Sequence, residues 1–130
     1  MVTKMIYEDV NKLLLKEFPN FKISEDDFEL PYIVAGLFTQ FILKAFNRND
    51  NLTYLSGLAF IESLHLSESH KVRELATTGY LESVQNTWPP SLLEIKIPYN
   101  DLGIESKKWW DELNLYWSNK VKYLGESFSP

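Results

Sequence analysis

Apolar residues recur at helical spacing along most of the chain. Between about Lys4 and Glu17, Met5, Val10, Leu13 and Leu14 approximate a 3.6-residue period, Thr3 is placed to cap the segment, and Pro19 stops it. Residues 18–30 lose the period and read as a connector, in which Ser24-x-x-Asp27 opens a single short turn. From Pro31, a residue favoured at the first helical position, to about Asn47 the chain is apolar on nearly every face. Only Thr39, Gln40 and Lys44 form a narrow polar strip there, so this helix is expected at the centre of the molecule. Gly36 in its interior costs about 1 kcal/mol relative to alanine, and is therefore expected to permit close approach of a neighbouring helix.

A polar turn at residues 47–51 leads into a third helix, about Asn51 to Leu66, that also looks largely buried. A break follows, with Ser67 or Ser69 as a cap. The fourth helix runs from about Glu68 to Asn86, with Val72, Leu75, Ala76, Gly79, Tyr80 and Val84 on one face, and Trp88-Pro89-Pro90 ends it. Residues 91–103 alternate weakly around Ile95 and Ile97, and Pro98 restricts them to irregular structure or one edge strand. The last helix is expected from about Glu105 to Tyr123. Trp110, Leu113, Trp117, Val121 and Leu124 form its core stripe, and Trp109, Tyr116 and Tyr123 a second stripe beside it. Residues 125–130 are expected to fray.

The pattern predicts an all-α fold of about five helices, either a compact bundle or a short HEAT-like α-solenoid. At 130 residues the chain is one helical domain in three parts. Residues 1–30 are a helix plus an acidic connector, 31–87 the three central helices, and 88–130 a connector plus a Trp-rich helix.

Charge sharpens this picture. The net charge is −5, and residues 1–30 alone hold seven acids against four bases, while 31–66 balance to zero. The acid excess is thus a local patch, densest at Glu25, Asp26, Asp27 and Glu29. A solvated loop is the plain reading of such a run, and a docking patch for a cationic partner is the functional one. No basic stripe is present, so direct nucleic-acid binding is not expected. The longest apolar run, Pro31 to Phe38, is too short to cross a membrane, and the first residues lack the apolar core of a signal peptide, so a soluble cytoplasmic protein is expected.

The inventory of reactive groups is sparse. There are no cysteines and two histidines, His65 and His70, whose five-residue spacing does not suit chelation from one helix face. Glu62-x-x-His65 is half of a carboxylate di-metal motif with no second copy. Neither a nucleophile elbow nor a glycine-rich phosphate loop occurs. No catalytic residue, metal or cofactor is indicated, and an enzyme is not expected. Aromatic residues make up 15% of the chain, with tryptophan concentrated at 88, 109, 110 and 117, and tryptophan and tyrosine are common interface anchors.

Several segments carry a family likeness. They are Glu17-Phe-Pro, Leu30-Pro-Tyr-Ile-Val-x-Gly-x-Phe-x-x-Phe, Phe60-Ile-Glu-x-Leu, Val72-Arg-Glu-Leu-Ala-x-x-Gly-Tyr-Leu-Glu, Leu102-Gly-x-x-Ser-Lys-Lys-Trp-Trp-Asp-Glu-Leu, and the pair Tyr116-Trp117. Together they resemble a family of short helical bacterial proteins of formally unknown function that are encoded in polymorphic-toxin settings. Those proteins are read as cognate immunity proteins, including for contact-dependent growth inhibition. The resemblance implies a protein that binds and neutralises a toxin domain in the cytoplasm, and the acidic charge suits a basic nuclease as that toxin. Glu25, Asp26, Asp27 and Glu29 are then the steering residues, with Trp109 and Tyr116 as anchors. The alternative is a helical-repeat adaptor that binds a protein partner with no toxin involved.

Overall fold

The computed structural model describes residues 5–128. A 3-10 turn at Tyr7–Asp9 leads into helix α1 (Val10–Glu17), so the first regular helix is shorter than expected, and the Thr3 cap lies outside the described residues. Helix α2 spans Pro31–Asn47 and α3 Asn51–His65, both close to their expected bounds. Helix α4 follows at 70–87 and is not uniform. It starts as α-helix at His70–Glu74, widens to a π-helical segment at Leu75–Leu81, and closes as α-helix at Glu82–Thr87. Helix α5 is a single turn and a half at Pro90–Glu94, and α6 covers Ile104–Trp117. Among the described residues there is no β-strand; 91–103 holds the end of α5 and a 3-10 turn at Tyr99–Asp101. None of these helices is long and apolar enough to cross a membrane.

The caps explain the bounds. Asp50 accepts from the Thr53 N–H at 3.1 Å and Ser69 from the Val72 N–H at 3.3 Å, so each satisfies an otherwise orphaned donor at a helix start. Three helices end in the same way. Asn49, Lys96 and Asn119 take left-handed backbone angles, and the next N–H reaches five residues back: Asp50 to Ala45 O, Ile97 to Leu92 O, Lys120 to Leu115 O. The last of these stops α6 at Trp117, six residues before the expected end.

The core is one cluster drawing on α1 through α6, with α2 across its middle. Helices α2, α3 and α4 each touch the other two, so the three central helices pack as one compact unit. Phe38, fully buried on α2, stands at the centre of an aromatic group. Its ring lies 4.9 Å from Phe18, 5.2 Å from Phe21, 5.7 Å from Phe41 and 6.2 Å from both Phe60 and Tyr80, centroid to centroid. Phe18 and Phe21, at the start of the connector, thereby nail it to α2.

Two expectations about α2 change. Gly36 is not a point of close packing, since a Cβ there would meet Ser83 Oγ at an ordinary 3.7 Å. Tight approach occurs instead at Gly57, where a Cβ would stand 2.7 Å from Ile42, and at Gly103, where it would overlap the Glu62 carboxyl group. Thr39, assigned to the polar strip, is fully buried; its hydroxyl donates to Gly36 O and bonds Ser83 Oγ, while Trp88 Nε1 donates to its carbonyl. The face left open is apolar: Tyr32, Ile33 and Leu37 are exposed.

Gly103 matters because Glu62 reaches past it. The Glu62 carboxylate on α3 accepts the Glu105 N–H at 3.1 Å and the Ser106 N–H at 2.8 Å, and so caps α6 from another helix. Gly103→Ala should displace that carboxylate and destabilise the fold by about 1–3 kcal/mol. Urea unfolding would check this, and a midpoint equal to that of the parent chain would refute it.

Candidate functional site

The connector carries the acidic patch, and its conformation follows from its anchors. Phe18 and Phe21 are buried against α2, and Asn11 of α1 donates through Nδ2 to the Phe28 carbonyl at 2.7 Å. Between these points Ser24 is extended and Glu25–Asp27 form one 3-10 turn. Glu25, Asp26 and Glu29 are exposed and Asp27 half-buried. The ion pairs among the described residues are Arg48–Asp50, His70–Glu74 and Lys108–Glu105, so none of the four carboxylates is neutralised by a neighbour.

Apolar side chains adjoin these charges. Phe28 is 39% exposed and Leu30 47%, and Ile33 and Leu37 continue the strip along α2 at 51% and 42%. Beneath the connector, Leu15, Ile23 and Phe28 line a depression of about 540 Å³, and Glu25, Asp26 and Glu29 also line it. A second depression of about 310 Å³ shares Phe28 and Glu29 and includes Tyr7, Glu8, Asn11 and Lys71, with the Lys71 ammonium 5.4 Å from the Tyr7 ring centre. Sequence reasoning missed these apolar members. The available signal was their interleaving with acids, as in Asp27-Phe28-Glu29-Leu30.

The aromatic residues of α6 are sorted differently from expectation. Trp110 and Leu113 are buried as expected, but Trp117, assigned to the core stripe, is 56% exposed. Tyr123 falls beyond the end of α6, so the second stripe is interrupted after Tyr116. Tyr116 is half-buried with its ring edge-on to Trp117 at 5.2 Å. Trp109 is also half-buried, because the chain returns over it: Phe128 packs edge-on at 4.9 Å and Gly125 lies against the ring. The acidic patch and α6 line separate depressions with no residue in common.

That return corrects the expectation of a frayed end for residues 125–128. Glu112 on α6 is buried, and its Oε2 accepts the N–H of Gly125 at 2.8 Å and of Ser127 at 3.3 Å, while Oε1 has no partner. Hydrogen bonds to a charged group contribute about 1.5–3 kcal/mol each. Glu112→Ala should therefore unlatch the segment: faster amide exchange at Gly125 and Ser127, and a more exposed Trp109. Glu112→Gln, which keeps an acceptor oxygen, should retain most of the protection. Unchanged exchange in the alanine variant would overturn the latch.

His65 bonds Ser106 Oγ through Nδ1 at 2.9 Å and Thr77 Oγ1 through Nε2 at 3.0 Å, tying α3 to α6 and to the π segment. Burial pushes its imidazole down to about 4, against a weaker upward pull from the Glu62 carboxylate. His70 is exposed, with Nε2 3.7 Å from Glu74. Among the described residues no three histidine or acidic side chains converge as metal ligands. A depression between α4 and the returning chain, lined by Thr77, Trp109 and Leu124 among others, measures about 130 Å³, well under the ~300–1,000 Å³ of typical small-molecule pockets.

A family model described as Domain of unknown function (DUF7674) matches residues 11–118, and the chain belongs to that family. No curated protein matches the chain, and no solved structure does.

Proposed function

We propose that this member of a family of unknown function is an immunity protein, which binds and neutralises a cognate bacterial toxin domain in the cytoplasm. The observation that carries the reading is the connector surface, where four carboxylates that form no ion pair among the described residues border exposed apolar side chains. An apolar centre with a charged rim is the anatomy of a protein-binding patch. Its sign suits a basic toxin, for which a nuclease is the natural class, because an acidic inhibitor is steered toward a nucleic-acid groove. The resemblance of the quoted segments to toxin-associated proteins supports the same reading. Glu25, Asp26, Asp27 and Glu29 steer the approach. Tyr116 and Trp109 remain the aromatic contacts, with Trp117 the more accessible ring. The protein acts by occlusion and catalyses nothing.

The test is co-expression with the product of the neighbouring upstream gene. A stable complex and protection from growth arrest are the expected results; no complex and no protection would overturn the reading. In that event the exposed apolar residues of α2 would favour an adaptor that binds another protein. Within the complex, replacing Glu25 and Glu29 by glutamine and Asp26 and Asp27 by asparagine should slow association about 10- to 100-fold at low salt. The difference should shrink at high salt. Stopped-flow association across a salt series measures both, and a rate insensitive to the four substitutions would remove the connector from the encounter.

A further inference from the structure

We infer that the cleft where the end of α4, α5 and α6 meet is a binding site for the pyranose ring of an uncharged sugar. The cleft measures about 440 Å³, within the ~300–1,000 Å³ of small-molecule sites. It shares no residue with the connector depression and stands apart from the proposed function. Trp110, Asn114 and Trp117, spaced i, i+4 and i+7, form the α6 wall. Gln85 and Asn86 at the end of α4 form a second wall, and Leu93, Lys96 and Tyr99 a third. Trp117 is more than half exposed and offers an open aromatic face, whereas Trp110 is buried and the Tyr99 ring already has the Lys96 and Lys107 ammonium groups 5.8 Å from its centre.

The lining decides the class of ligand. A pyranose carries C–H groups that can cover one aromatic face, and hydroxyls around its edge that both donate and accept. Gln85, Asn86 and Asn114 bring three side-chain amides, which likewise donate and accept. One acid, Asp111, and one base, Lys96, line the cleft, so neither a phosphate nor a cation finds a surplus of opposite charge there. With a single open ring, the cleft covers one side of a ligand, whereas a nucleobase is held by stacking between two side chains. Several polar groups are already aimed. Asp111 Oδ2 accepts the Tyr99 hydroxyl at 3.1 Å, and Gln85 Nε2 donates to the Trp110 carbonyl at 3.3 Å. Each contact fixes a side chain and leaves capacity over: Asp111 Oδ1, Gln85 Oε1 and the second Gln85 N–H. No hydrogen bond among the described residues engages the exposed Asn86 and Asn114 side chains. Groups held in place in this way lower the ordering cost of binding.

The experiment titrates the isotope-labelled full chain with glucose, galactose, mannose and N-acetylglucosamine in turn. NMR follows the tryptophan indole N–H groups and the side-chain amides, with glycerol and adenosine as controls. The expected result is saturable shifts with at least one sugar, centred on Trp117, Asn114, Asn86 and Gln85, at a Kd of about 1–10 mM. Glycerol, which has hydroxyls but no ring face, should give none. Trp117→Ala should weaken binding of that sugar about tenfold, and Asn114→Ala about threefold. Both side chains are exposed, so the variants should keep the dispersed spectrum of the parent chain. No saturable shift at these residues with any of the four sugars would overturn the inference. Equal shifts with glycerol, a tighter response to adenosine, or variants that bind as the parent chain does would overturn it as well.

Discussion

Phe38→Ala is expected to remove about 3–5 kcal/mol of stability, the usual cost of emptying a phenylalanine site in a core. Phe38 is fully buried and its ring faces five other aromatic rings, two from the connector and one each from α2 itself, α3 and α4. The cavity would thus open where most of the elements meet, and the phenyl rings around it cannot all shift inward together. Against a total stability of about 5–15 kcal/mol, the loss is a fifth of it or more. Urea unfolding should show the midpoint fall sharply, with Phe38→Leu much milder. A loss under about 1.5 kcal/mol for the alanine variant would mean that the aromatic group is not the centre of the core.

The second large effect is acid sensitivity through His65. Thr77 Oγ1 donates to Arg73 O, which leaves it an acceptor for the Nε2 proton, and Ser106 is free to donate to Nδ1. The neutral ring is therefore satisfied on both sides. Burial holds its folded-state value near 4, below the ordinary 6.5. The unfolded chain takes up a proton below pH 6.5 while the folded chain does not, so stability is full above that value and falls as pH drops toward 4. The shift corresponds to about 3 kcal/mol lost across the window. Glu62 is the titratable group that faces it, and its negative charge only softens the effect. Stability measured by urea from pH 7.5 to 4.5 should decline more steeply for the parent chain than for His65→Asn. Parallel curves would show that His65 is not the titrating group.

Much of the architecture was legible in the chain. The bounds of α2 and α3 follow from Pro31, the polar turn at 47–51 and the Asp50 cap, all local signals. The end of α6 was missed because its stop is an asparagine at position 119 rather than a glycine or proline, and the aromatic period runs past it unbroken. The returning chain was missed for a different reason. Its partner is a single buried carboxylate thirteen residues earlier, and nothing local distinguishes Glu112 from the solvated acids around it. At the candidate site the acids stood out as a run, whereas their apolar companions Leu15 and Ile23 come from either side of the connector's bend, and only folding brings them under Phe28.

The π segment of α4 has a consequence for how this chain tolerates change in length. Hydrogen bonds there close five residues back instead of four, so the stretch 75–81 carries one residue more than an α-helix of the same turns would need. That surplus lets Leu75, Ala76, Thr77, Gly79, Tyr80 and Leu81 all sit inward, a broader sector than one α-helical stripe offers. Losing a single residue from it would return the stretch to α-helical spacing while 82–87 keep their phase, so Val84 would stay in the core and Ser83 beside Thr39. A residue lost from the regular turns on either side would instead rotate everything downstream by about 100°. The segment 75–81 is therefore the place where α4 can absorb a change in length.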